Sequence, residues 1–174
     1  MKMAKQITIR PSDIVVALQL AINPRSHFQS IAESASISAG ECHNAVRRLR
    51  LASIILADER RPSTDALHEF LVHGAAYAFP PIVGAVLPGM PTAHSSPAFA
   101  AILESSDAYV WPDAEGSARG QSLLPLYPGA TDLPRRNQPL YELLTITDAL
   151  RVGTTRIRKV AAELLHTRLA ETNH

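Results

Sequence analysis

Apolar residues recur at helical spacing over residues 14–22, and Asn23-Pro24 ends this run. Ser12 stands just before the run, and we predict it as the N-cap of a first helix. A short second helix is predicted after Ser26, followed by a turn at residues 35–37 and a third helix capped by Ser38. The pattern therefore predicts a helix, a short helix, a tight turn and another helix.

The third predicted helix divides into a buried stripe and a polar face. Because successive residues advance by about 100° around a helix, the apolar side chains fall on one stripe formed by Cys42, Ala45, Val46 and Leu49. The opposite side carries Gly40, Asn44, Arg47 and Arg48, with His43 and Arg50 along one flank and Glu41 on the other.

This polar face has the chemistry that reads DNA. Arg can bond guanine bidentately, and Asn can do the same with adenine. Ser38 and the free backbone N–H groups at the helix start suit a phosphate, and Gly40 lets the helix approach the duplex backbone closely. The alternative interpretation is an ordinary solvated face on a three-helix core.

A β-hairpin is predicted after the third helix. Residues 52–57 are rich in β-formers, and the charged tip Asp58-Glu59-Arg60-Arg61 comes before Pro62. As a wing, this tip would place Arg60 and Arg61 on phosphates, whereas Asp58 and Glu59 favour a simple solvated turn. The predicted DNA-binding residues are thus Ser38, Gly40, His43, Asn44, Arg47, Arg48, Arg50, Arg60 and Arg61.

The remainder of the chain changes character twice. A helix capped by Thr64 is predicted up to about residue 73. Ten of the thirteen prolines fall between Pro80 and Pro139, which excludes long helices there and predicts packed irregular structure with a short strand at residues 108–111. Two amphipathic helices follow, one ending at Gly153 and one starting after Thr154.

The predicted fold class is therefore mainly α (α+β), in two domains. Residues 1–79 form a winged helix-turn-helix DNA-binding domain. Residues 80–174 combine the proline-rich segment with the C-terminal helical pair, which serves dimerisation or partner binding. Whether these two helices pack on a second subunit or within the monomer stays open at this level.

Charge is distributed unevenly along the chain. Residues 1–63 carry nine Lys/Arg and five Asp/Glu, a net charge of +4. Residues 64–150 carry a net −6 and residues 151–174 a net +3, which together give the overall +1. This polarity fits a basic face toward phosphates and an acidic middle that faces away or toward a partner.

Several other classes of function lack the residues they require. Cys42 is the single cysteine, which excludes an internal disulfide and agrees with a reducing compartment. The spacing of His68-Glu69 and His73 is wrong for a zinc-binding helix, and Ser95 has no nucleophile elbow. We therefore expect no enzyme activity, no metal and no cofactor. We also expect no membrane segment and a cytoplasmic location, because neither an apolar span nor a signal peptide is present.

The N-terminal unit resembles the winged helix-turn-helix of bacterial transcription regulators, MarR-like in the broad sense. Three later strings, HGAAYAFPP (73–81), VWPDAEGSARGQSLLPLYP (110–128) and LYELLTITDALRVG (140–153), resemble the AbiEi-type antitoxin-regulators of abortive-infection toxin–antitoxin operons. The resemblance implies repression of the protein's own operon and pairing with a nucleotidyltransferase-like toxin. It carries over only the recognition-helix positions Ser38, Asn44, Arg47 and Arg48, and no catalytic residue.

Two hypotheses follow from the sequence. The first is a transcriptional regulator, a homodimer that binds double-stranded DNA sequence-specifically and acts as a repressor. The second is an antitoxin-type interaction module, which binds or neutralises a partner protein through the acidic, proline-rich middle. A small-molecule pocket between the two halves has no specific support in the sequence.

Overall fold

The computed structural model describes residues 6–103 and 108–172, which form a mixed α+β structure with a small three-stranded sheet. The helices are α1 (Pro11–Ile22), α2 (Phe28–Ser34), α3 (Ala39–Leu51), α4 (Thr64–His73), α5 (Ala75–Ala78), α6 (Leu133–Arg136), α7 (Gln138–Val152) and α8 (Thr155–Glu171). The strands are β1 (Val83–Thr92), β2 (Tyr109–Pro112) and β3 (Ala118–Leu123).

The helix starts differ in detail from those predicted. α1 begins at Pro11, with Arg10 as its N-cap in place of Ser12, because the Asp13 carboxylate accepts the Arg10 backbone N–H at 2.9 Å. His27 precedes α2 in place of Ser26. Ser63 caps α4 in place of Thr64.

The third predicted helix is confirmed as α3. Ser38 is its N-cap and accepts the Glu41 backbone N–H at 3.1 Å. The four predicted stripe residues are all buried, and they pack α3 against α1 and α2. Ser36, in the turn before α3, has φ 55°, a left-handed conformation that is uncommon for a residue with a side chain.

The two strands of the hairpin predicted after α3 do not form. Residues 52–63 form a loop closed by one antiparallel bridge between Ile55 and Pro62, next to a hydrogen bond from the Ser63 backbone N–H to the Ile54 carbonyl. Ile54 and Ile55 are buried in the core. Pro62 has no N–H with which to extend a ladder. The buried side chains of Ile54 and Ile55 thus lie where the first strand of the hairpin was predicted.

The proline-rich segment contains more strand than predicted. β2 confirms the strand predicted at residues 108–111, whereas β1 and β3 were not predicted. β1 pairs antiparallel with β3 from Val83 to Gly89 and with β2 from Gly89 to Thr92. β2 and β3 pair in parallel over two residues and close a small barrel. Between β1 and β2 the chain forms a 3₁₀ turn at Pro97–Phe99.

α7 is the central element of the molecule. Most of its residues are buried, on every side of the helix. The helix that was predicted to be amphipathic is therefore an interior helix. α8 packs on α7 and α4, and Thr154 caps it by accepting the Ile157 backbone N–H. The buried apolar side chains form one continuous cluster that runs from α1 and α3 to α7 and α8. The core therefore crosses the boundary predicted at residues 79 and 80.

Within the described residues, no helix is both long enough and apolar enough to cross a membrane.

Candidate nucleic-acid interface

One side of α3 is exposed along its whole length. The residues that face solvent there are Ser38, Gly40, His43, Asn44, Arg47 and Arg50. They lie opposite the buried stripe, so packing of the stripe fixes which side of α3 faces outward. The exposed row combines an amide and two guanidinium groups with a capped helix N-terminus. This is a donor set suited to base edges and phosphates.

Arg48 does not belong to this row, contrary to the prediction. Its side chain is only 12% exposed and forms a bidentate ion pair with Asp13, with Nε and Nη2 at 2.8 and 2.7 Å from the carboxylate oxygens. The same guanidinium also bonds Glu41 at 2.5 Å. Arg48 therefore joins α3 to α1 through its Nε and Nη2 groups. Asp13 lies 35 residues away, and nothing in the sequence near Arg48 signals this pairing.

The Asp13–Arg48 pair fixes the orientation of α3. Asp13 is fully buried, and its carboxylate accepts bonds from the Arg10 backbone as well as from Arg48. Arg48 also lowers the pKa of Glu41 and keeps it ionised, while the Arg48 pKa itself is raised. Removing one partner of such a buried pair strands the other charge in the interior. These ion pairs therefore hold α3 in the orientation that exposes its polar face.

The chain segment before α1 lies beside the exposed face. Gln6, Ile7 and Thr8 line a cleft of about 360 Å³ together with Asn44 and Arg47. The cleft is partly apolar, because the exposed side chains of Ile7 and Leu51 contribute to it. The sequence did not identify Gln6 and Thr8 as neighbours of this face, since a short polar segment gives no signal of where it packs.

The two wing arginines are both engaged within the chain. Arg60 donates a hydrogen bond to the Ser26 carbonyl, and its guanidinium stacks 4.5 Å from the centre of the Phe28 ring. Phe28 in turn meets His43 edge-on at 4.6 Å. Arg61 donates to the Thr172 carbonyl at 2.5 Å, at the end of α8. The tip of the predicted wing is thus folded back on the protein, which directs both guanidinium groups away from a wing-like contact.

Cys42 lies in the buried stripe directly beneath the exposed face. Burial raises the pKa of its thiol above the ordinary value. A protonated thiol without exposed surface is a packing group, so it does not belong to the interface chemistry.

A second exposed surface has the opposite character. Five large apolar side chains protrude around the first half of β1, each between 40% and 63% exposed: Ile82, Val83, Val86, Leu87 and Leu124. We call this group the apolar ribbon. Four of its five residues lie in the stretch from Phe70 to Leu103, which contains no Asp, Glu, Lys or Arg, and Leu124 follows β3. Clustered exposed apolar residues of this kind mark contact surfaces for other proteins.

A buried polar network holds this ribbon on α7. Asp148 of α7 accepts hydrogen bonds from Thr92, Trp111 and Arg151, each at 2.7 Å. Arg151 also donates to the backbone carbonyls of Phe79 and Pro80, just before β1. Burial raises the pKa of Asp148. The three hydrogen-bond donors lower this pKa, but the effect of burial is larger. Both carboxylate oxygens accept hydrogen bonds within the fold and the residue is buried, so this carboxylate is structural.

Comparison of the chain with protein-family models, curated proteins and solved structures finds no match.

Proposed function

We propose that the protein is a transcriptional regulator that binds double-stranded DNA sequence-specifically through α3, as a helix-turn-helix unit, and represses its own operon. The observation that carries this proposal is the exposed row on α3, in which Asn44 and Arg47 lie opposite a fully buried stripe. Both side chains have donors arranged for base edges in a major groove. The Arg47 side chain is exposed, and Asn44 also forms a side-chain hydrogen bond with Glu41 on the neighbouring flank of α3.

The residues divide into two roles. Arg47 and Asn44 are the base-reading pair, with guanine and adenine as their preferred partners. Ser38, Gly40, His43 and Arg50 surround them and position the helix on phosphates. Arg48 is removed from the reading set because Asp13 and Glu41 hold its guanidinium. The apolar side chains of Ile7 and Leu51 suit the methyl groups of thymine.

The experiment is salt-dependent binding of the full chain to fragments of its own upstream region. Arg47→Ala should weaken specific binding by about 5- to 150-fold, corresponding to the roughly 1–3 kcal/mol of a bidentate base contact. Arg156→Ala is the matched control, because Arg156 is an exposed arginine on α8, away from α3. It should leave specific affinity unchanged.

Equal loss in both variants would mean that the fragments bind by charge alone, and unchanged binding of Arg47→Ala would remove α3 from the interface. The slope of log affinity against log salt supplies an independent reading, at about −0.9 per phosphate contact.

The homodimer is also part of this proposal, since two copies of α3 would read two half-sites about one helical turn apart. The α7–α8 pair is poorly suited to hold such a dimer, because α7 is buried within its own chain and α8 packs on α7 and α4. The length of the protected DNA distinguishes one half-site from two.

A second candidate function has its own supporting observation. The apolar ribbon is uncharged and exposed, as in a surface that binds another protein. An antitoxin-type module that holds a partner protein, such as a nucleotidyltransferase-like toxin, would use this surface and not α3. The two functions are compatible in one chain because the surfaces are separate.

A further inference from the structure

The first half of β1 is paired on one edge only. From Val83 to Gly89 it pairs with β3, whereas β2 covers its other edge only from Gly89 to Thr92. Between Val83 and Pro88 that other edge has no strand beside it within residues 6–103 and 108–172. We call it the open edge of β1. Unpaired backbone groups on an exposed edge are a template for a further strand.

The backbone of Val83 faces the open edge. The carbonyl of Ile82 accepts the Leu124 backbone N–H at 3.0 Å, which directs the Ile82 backbone toward β3. Because backbone groups alternate between the two edges of a strand, the N–H and carbonyl of Val83 point away from β3.

The backbone of Val86 faces the same edge. The Pro88 carbonyl accepts the Asp113 backbone N–H at 3.1 Å, and Asp113 directly follows β2, so this carbonyl points away from β3. Val86 lies two residues earlier and points the same way. The pairing of β1 with β3 is irregular between Val83 and Val86. This bulge explains a spacing of three residues where a regular strand has two.

The spacing selects the occupant of the open edge. A regular strand offers hydrogen-bonding groups to one edge at every second residue, so it does not match Val83 and Val86 together. A second copy of β1 has the same spacing of three. Run antiparallel, it sets the partner's Val86 opposite Val83 and the partner's Val83 opposite Val86, and each pair can exchange two hydrogen bonds. The ladder ends at Pro88, which has no N–H to donate.

The side chains fit the same arrangement. Residues 82–87 are all exposed, on both faces of the strand. Antiparallel pairing sets Ile82 beside the partner's Leu87 and removes apolar side chains from water on both faces. The strand carries no charge, so a twofold axis brings no like charges together within the ladder.

The Pro88 end of the open edge is acidic. Asp113 bonds the Pro88 carbonyl and begins a turn that also contains Glu115. Arg119 lies opposite Pro88 on β3. The two carboxylates outnumber the one guanidinium at this end.

The other end of the open edge is basic. Arg151 donates to the Pro80 carbonyl at 3.3 Å, and Arg158 donates to the Arg151 carbonyl at 3.3 Å, which places the start of α8 at this end. Arg156, Arg158 and Lys159 are exposed there, and the first two turns of α8 contain no Asp or Glu. An antiparallel copy therefore brings the acidic end of each chain to the basic end of the other.

We propose that a second copy of this chain pairs antiparallel with the open edge of β1, about a twofold axis between Gly84 and Ala85. This dimer is the homodimer of the proposed regulator and rests on that function, whereas the pairing of the strands itself requires no DNA. A different protein on the apolar ribbon would compete with the second copy for the same edge.

Sedimentation equilibrium of the full chain over a concentration series, without DNA, measures the dimer. The wild type should associate reversibly to a dimer. Val86→Lys should raise the dissociation constant by about 100-fold or more, because the substitution occurs twice in a dimer and each copy contributes about tenfold. Leu56→Lys is the matched control and should dimerise as the wild type does. Leu56 is 54% exposed, against 56% for Val86, and lies in the loop after α3.

Disulfide formation tests the register. The two residues of a hydrogen-bonded antiparallel pair have Cα atoms about 5.5 Å apart, within the range that a disulfide spans. Val83→Cys and Val86→Cys chains, mixed under mild oxidation, should therefore cross-link to each other, whereas neither chain alone should cross-link. Cys42 is buried and does not take part.

The proposal is overturned if the chain stays monomeric at about millimolar concentration, if Val86→Lys dimerises as well as the wild type, or if the mixed cysteine variants do not cross-link. A monomeric chain that takes up the product of the adjacent gene on the ribbon would assign this edge to that protein instead.

DNA binding is measured separately, on a fragment with a single half-site, where Val86→Lys should bind as the wild type does. A chain that dimerises through β1 but binds no DNA would refute the proposed regulator and leave this interface intact. A chain that binds DNA but stays monomeric would refute the interface and leave the role of α3 intact.

Discussion

The exposed face of α3 and the apolar ribbon are each tied to the body of the protein by a buried aspartate–arginine pair. Behind α3, Asp13 and Arg48 join two helices 35 residues apart in the chain, close to the surface. Behind the ribbon, Asp148 and Arg151 lie one turn apart on α7 in the deep interior. Both surfaces are held by the same kind of ion pair, but the α3 face is polar and the ribbon is apolar.

The comparison shows that the residues that fix a surface in place differ from the residues that the surface exposes to a partner. Arg47 and Arg48 are chain neighbours, yet one faces solvent and the other is paired with Asp13. The exposed Arg47 on α3 is available to a polyanion, whereas the exposed apolar side chains around the first half of β1 favour an apolar protein partner. The variants below test whether the two surfaces can be lost independently.

The largest expected effect is from Asp148→Ala. Thr92, Trp111 and Arg151 would lose their shared acceptor in the interior, and Arg151 would become an uncompensated charge. We expect a loss of about 3–5 kcal/mol in the free energy of unfolding. Chemical denaturation measures it, with Glu115→Ala as the exposed carboxylate control, which should change stability by less than about 0.5 kcal/mol. A small effect of Asp148→Ala would show that the ribbon does not depend on this network.

Arg48→Met should cost about 3 kcal/mol, because it leaves the buried Asp13 carboxylate without its cation. The double variant Asp13→Ala with Arg48→Met should lose less than the sum of the two single variants, since the stranded charge is gone. A denaturation cycle over the four proteins gives the coupling. Simple additivity would contradict the role assigned to the pair.

The smallest effect on stability is expected from Val86→Lys. Val86 is 56% exposed, so the free energy of unfolding should change by no more than about 0.5 kcal/mol. DNA affinity should also stay at the wild-type value, whereas binding to a protein partner through the ribbon should be abolished. Pull-down with the product of the adjacent gene, alongside DNA binding, measures both. Loss of DNA binding in this variant would show that the two surfaces are not independent.

The helices of the N-terminal third were predictable because their signals are local. Helical periodicity places Cys42 and Leu49 on one stripe, and Ser38 has the hydroxyl that an N-cap requires. The C-terminal helix boundaries at Gly153 and Thr154 follow from the same local rules. These features depend on residues within about two turns of one another.

What could not be predicted depends on distant contacts. Asp13 captures Arg48 across 35 residues, so the same periodicity that placed Arg47 correctly misplaced its neighbour. β1 contains Pro88 and Pro91, which argue against a strand, and pairing with β2 and β3 overrides that local preference. α7 reads as amphipathic, but helices and strands cover it on all sides.

The buried position of Cys42 turns the protein's single thiol into a reporter of local opening. A thiol-directed reagent can reach it only when α3 separates from α1 and α2, because the folded chain leaves the side chain no exposed surface. The rate of labelling then follows the free energy of that opening event, as amide hydrogen exchange does. Any ligand that binds the closed form of α3, DNA included, should slow the labelling in proportion to its occupancy.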